Sequence, residues 1–102
     1  MNKTEFGLRL AQLRQIRGLS SRDMSYALGK GHGYINNIEC GVSFPAMEQF
    51  FGICEILEIE PVDFFDLTLD NPSKMKRAVS EFHDLSPEQL DILIATAREM
   101  KK

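Results

Sequence analysis

No apolar run in this chain of 102 residues approaches the roughly 20 that a membrane-spanning helix needs, so no membrane insertion is expected. The opening stretch, MNKTEFGLRLAQLRQIRG, places arginines where a secretory signal would hold its apolar segment, so a cytoplasmic protein is expected. Cysteine is scarce. Cys40 and Cys54 fit neither a metal-ligand nor a CxxC spacing, and two cysteines beside a helical core read as free thiols. No segment alternates convincingly as a strand, and there are no internal repeats or low-complexity tracts. Catalytic groupings are missing too. His32 and His83 have no nucleophile or metal partner at a telling spacing, and no glycine-rich phosphate loop follows a strand, so neither an enzyme nor a cofactor is expected.

What is present is apolar content of 43%, enough for a single compact core with a small appendage. The net charge of −3 hides an asymmetry. Residues 1–44 carry six basic side chains (Lys3, Arg9, Arg14, Arg17, Arg22, Lys30) against three acidic ones, a net +3, whereas residues 45–102 carry six against twelve, a net −6. A polyanion would be steered to the first half and repelled by the second.

Helical periodicity runs through the whole chain. A first helix is expected from about Glu5 to Arg17, with Phe6, Leu10, Leu13 and Ile16 or Arg17 on one side and Gly18 as its stop. Ser20 or Ser21 should cap a short second helix, Arg22 to Leu28, with Met24 and Leu28 inward and Gly29 at its end. A third is expected from Gly31 or His32 to Glu39, closed by Gly41. Pro45 opens a fourth, Ala46 to Leu57, with Met47, Phe50, Cys54 and Leu57 at helical spacing, and Pro61 opens a fifth that drops Phe64 or Phe65 onto the bundle. These elements fill a first unit, residues 1–68. In the second unit, residues 69–102, Asn71-Pro72 starts a helix bearing Met75, Val79 and Phe82. Ser86 and Gln89 form a capping box before a stripe of Leu90, Leu93, Ile94, Ala97 and Met100. The expected fold is therefore all-α, a five-helix domain followed by a C-terminal helical hairpin.

Two short helices joined by a glycine turn, the second facing outward, are the makings of a helix-turn-helix. Ser25 supplies a small residue where the helices cross, and Gly29 supplies the sharp turn. Once Ile35 and Ile38 point inward, the helical wheel sends His32, Gly33, Asn36 and Asn37 outward. An asparagine amide offers a donor and an acceptor that match N6 and N7 of adenine in the major groove.

The run from Arg9 to Asp66 resembles the phage-repressor class of helix-turn-helix domains, the Cro/C1 or xenobiotic-response-element family. The residues that carry the likeness are Leu13-Arg14-x-x-Arg17-Gly18-Leu19-Ser20 and Leu28-Gly29. They continue with Tyr34-Ile35-x-x-Ile38-Glu39-x-Gly41, Pro45, Ile53-Cys54-x-x-Leu57 and Pro61. The resemblance implies a transcriptional regulator, in all expectation a repressor, whose third helix enters the major groove of double-stranded DNA. It also implies an Arg14–Glu39 ion pair joining the first and third helices. Departures fall at Ser21, where glutamine is frequent and a phosphate is touched, at Lys30, within reach of a phosphate, and at Gly33, which has no side chain to read a base. Tyr34 either donates to a phosphate or leans on the core, and Arg14, Arg17 and Arg22 are further candidates for backbone contact, each equally readable as plain surface. The C-terminal hairpin, with its apolar seam, is expected to pair two copies or to receive a protein antagonist, the alternative being that it folds back over its own domain and finishes its core. The rival reading is an interaction or antitoxin-like module that uses bundle and hairpin without specific DNA binding.

Overall fold

The computed structural model describes every residue except Leu69. The described residues form seven helices: α1 (Lys3–Ile16), α2 (Ser21–Ala27), α3 (Tyr34–Glu39), α4 (Met47–Leu57), α5 (Pro61–Phe65), α6 (Pro72–Phe82) and α7 (Pro87–Met100). Among the described residues there is no strand, and no helix is long and apolar enough to cross a membrane.

Local chemistry sets most of the boundaries. Asn2 caps α1 by accepting from the Glu5 N–H at 2.8 Å, and Ser20 caps α2 by accepting from Asp23 at 3.0 Å. Gly18, Gly29 and Gly41, with φ of 70°, 73° and 77°, end α1, α2 and α3 in the left-handed conformation that a Cβ disfavours. Pro61, Pro72 and Pro87 occupy first turns, and Ser86 with Gln89 completes the expected capping box.

The core is built wholly from the first five helices and the link after α4. Phe6, Leu10 and Leu13 from α1 meet Met24, Ile35 and Ile38 from the next two helices, Phe50, Ile53, Cys54 and Leu57 from α4, and Ile59 and Phe64. Phe64 is the buried member of its pair and Phe65 the exposed one. One expectation about this core is corrected. Met47 is 66% exposed at the rim of an apolar hollow that it shares with Phe44 and Phe65, and Ile53 is the additional inward residue. Of the two alternatives at the end of α1, Ile16 is exposed and Arg17 is the half-buried one.

Arg9 is buried beneath α5. Its guanidinium donates to the carbonyls of Phe64 (2.6 Å), Asp63 (2.9 Å) and Asp66 (2.8 Å) and to Gln12 Oε1 (2.9 Å), so it closes the C-terminal end of α5. Burial pulls its pKa below the ordinary arginine value against the opposing field of Asp66, Asp70 and Asp63.

The segment after α5 stays docked at one point. Pro72 and Ser73 are buried, and Ser73 Oγ donates to the Leu57 carbonyl at 2.6 Å, satisfying the end of α4. The division expected at 68/69 falls beside Leu69, outside the described residues. Beyond its first turn α6 is mostly exposed, and α7 has no buried residue. The Cα radius of gyration is 16.5 Å, whereas a compact chain of this length has about 13 Å. The C-terminal helices form an arm.

Candidate nucleic-acid interface

Three contacts hold α3 in place. From behind, Ile35 and Ile38 are 0% and 1% exposed and pin it to α1 and α2. At its start, Ser25 Oγ accepts from the Ile35 N–H at 3.0 Å while donating to the Ser21 carbonyl at 2.8 Å. Gly33, the residue before the helix, has no side chain with which to cap it, so a serine on α2 does so from across the turn. At its end, Arg14 grips Glu39 through two bonds, Nε to Oε2 at 2.7 Å and Nη2 to Oε1 at 2.9 Å. The bond to Glu39 raises the Arg14 pKa. The expected link between α1 and α3 is present, and Arg14 Nη1 also donates to the Leu19 carbonyl at 2.9 Å, tying in the turn before α2.

Close approach of α1 to α3 depends on Gly7. A Cβ there would lie 2.5 Å from the Ile38 carbonyl oxygen and 2.6 Å from that of Glu39, closer than real contacts allow. Nothing in the local periodicity of α1 marks this position, because the restriction comes from the backbone of another helix.

The third helix is shorter than expected. It begins at Tyr34, so His32 and Gly33 lie ahead of it rather than on it. The Tyr34 N–H donates to the Gly31 carbonyl at 3.1 Å, closing a turn tighter than α, and helical pairing starts only where Ser25 supplies its cap. Gly31 and Gly33 consequently stand outside the helix, so neither carries the propensity cost of a glycine in a helix interior. A Cβ on either would meet open space.

The outward surface carries His32, Asn36 and Asn37, all exposed, with Gly33 half-exposed between them. The Asn36 carboxamide oxygen has only the Cys40 thiol near it, at 4.0 Å, and among the described residues the Asn37 side chain has no hydrogen-bond partner. Beside them, Lys30 Nζ sits 5.5 Å from the centre of the Tyr34 ring, which itself packs against the core. Burial raises the Tyr34 pKa, which keeps its hydroxyl a proton donor near neutrality. On α2, Ser21 is half-buried and Arg22 exposed. Arg22 lies 5.8 Å from the Tyr26 ring and its Nε donates to the Tyr26 hydroxyl at 3.3 Å. Tyr26 escaped the sequence reading, although its position four residues after Arg22 on a helix was a usable signal.

The basic half of the chain offers less free charge than its composition promised. Arg9 is buried, Arg14 is paired with Glu39, and Arg17 pairs with Glu58 at 3.1 Å. That leaves Arg22 and Lys30 exposed beside α3, and Lys3 exposed at the start of α1. Among the described residues no group of His, Cys, Asp and Glu could hold a metal ion, and both cysteines are free thiols.

A profile of the helix-turn-helix domain family matches residues 7–69. The crystal structure of the restriction-modification controller protein C.AhdI from Aeromonas hydrophila superposes with a TM-score of 0.58 at 28% identity, over 62% of this chain and 91% of that one. No curated protein matches the chain.

Proposed function

This chain belongs to the helix-turn-helix domain family as a DNA-binding transcriptional regulator, and from that premise we propose that it is a sequence-specific repressor that reads the major groove with α3. The observation that carries the reading is the division of α3 into a sealed back, Ile35 and Ile38, and a free front, Asn36 and Asn37. Asn36 and Asn37 read adenine edges, and His32 reaches the base or phosphate next to them. Ser21, Arg22, Lys30 and the Tyr34 hydroxyl hold phosphates, while the bare backbone at Gly33 lets the turn approach the strand. Residues 1–68 form the reading unit. The arm from 69 to 102 brings two copies together, setting two α3 helices about 34 Å apart over an inverted repeat. Repression needs nothing further, since a bound dimer occludes its site. The same apolar arm is where a protein antagonist would compete.

Fluorescence anisotropy on mixed-sequence duplex DNA at a series of salt concentrations tests the reading. With Arg22 and Lys30 as the cations beside α3, log affinity should fall against log salt with a slope of about −2 per protomer, at roughly −0.9 per neutralised phosphate. An interaction module without DNA binding would give no measurable affinity even at low salt.

A further inference from the structure

The arm ends in a helix that lacks a partner. α7 spans 14 residues with no buried side chain, and no described helix packs along it. Helices of that length are marginal in water unless their apolar side is covered. Its stripe lies open: Leu90 and Leu93 are half-exposed, Ile94 is 49% and Met100 81% exposed, and Ala97 is exposed between them. The charges beside the stripe say what covers it. Asp91 and Arg98 stand seven residues apart, hence on the same flank, and among the described residues neither has an ion-pair partner. Glu88 adds negative charge at the start of the helix and Lys101 positive charge at its end.

We infer that α7 pairs with α7 of a second copy of this chain in antiparallel orientation, centred near Ile94–Ala95, so that each Asp91 faces the partner's Arg98. This rests on the homodimer reading above and specifies its geometry. In a parallel two-fold pair the flanks that carry Asp91 and Arg98 lie on opposite sides of the seam and do not meet, whereas the antiparallel pair brings the two flanks together and makes both contacts attractions beside a continuous apolar seam. Its centre lies within the stripe, so Leu90 of one copy lies within one residue, about 1.5 Å along the axis, of the level of Met100 of the other. The two Met100 positions are then separated by roughly 16 Å along the axis. A two-fold arrangement of this kind is closed, which limits assembly to two copies.

Disulfide trapping reads the orientation. Leu90→Cys and Met100→Cys chains are prepared separately in a Cys40→Ser background, mixed and oxidised, with sedimentation of the reduced proteins in parallel. The expected product is the mixed disulfide, with neither chain cross-linking to itself. Self-linked products alone would overturn the antiparallel assignment. A sedimenting dimer that yields no disulfide would overturn the α7 seam and leave dimerisation to another face, such as the apolar hollow of about 260 Å³ between Phe44, Met47 and Phe65. A monomer would overturn the homodimer reading itself. As a second measurement, Asp91→Arg should weaken self-association by about tenfold, and adding Arg98→Asp should recover most of that loss. Equal association for all three proteins would contradict the flank pairing.

Discussion

Ser25 performs two tasks with one hydroxyl, donating within α2 and accepting from the first turn of α3. A helix of six residues has few hydrogen bonds of its own, so a cap supplied from outside weighs heavily in its stability. Replacing Ser25 with alanine keeps the size that the crossing needs but leaves the Ile35 N–H buried and unpaired. The expected cost is about 1–2 kcal/mol in urea unfolding, with the amides of α3 losing hydrogen-exchange protection first. An unchanged midpoint would mean that the cap is idle. The need for a small residue at this position was legible from the geometry of the motif, but the bond was not. A serine near the middle of a helix gives no sign in sequence of which backbone donor it will meet.

At the level of elements, what mattered most was how closely helices approach. Gly7 lets α1 lie against the carbonyls of Ile38 and Glu39, and Arg9, two residues on, closes the end of α5. Gly7→Ala is therefore expected to push α3 off α1 and to destabilise the fold by about 1–3 kcal/mol, measured by thermal or urea unfolding. A neutral or stabilising result, the usual sign for glycine to alanine in a helix, would show that the two backbones can part without loss. Periodicity placed Ile35, Ile38, Phe50 and Leu57 correctly, because helical spacing decides which residues share a side. It failed at Met47, which helical spacing aligns with Phe50 and Cys54 but which stays exposed at the rim of the core. It also failed at Arg9, whose charge reads as surface until three backbone carbonyls surround it. The Arg14–Glu39 link was legible only through family resemblance, since no local pattern connects residues on separate helices.

For the whole molecule, free charge and apolar surface are segregated in the way the proposed division into a reading unit and a pairing arm needs. The outward face of α3 has two exposed cations beside two exposed amides, and the arm presents an apolar stripe on a helix that buries nothing. Composition exaggerated the first of these, because half of the six basic residues in the first 44 are committed to internal partners. With so little free positive charge, non-specific attraction to DNA is expected to be weak, and under the proposed function discrimination comes from base edges and from two α3 helices acting together. The account turns on Asn36 and Asn37 touching bases. Selection of bound sequences from a random duplex pool should be run with the native chain and with Asn36→Ala and Asn37→Ala, each first shown to melt like the parent. The native chain should recover an inverted repeat with adenines at fixed positions, and each variant should lose preference at one position per half-site, a loss of about 1–3 kcal/mol in discrimination there. Identical selected sites for all three proteins would contradict the account.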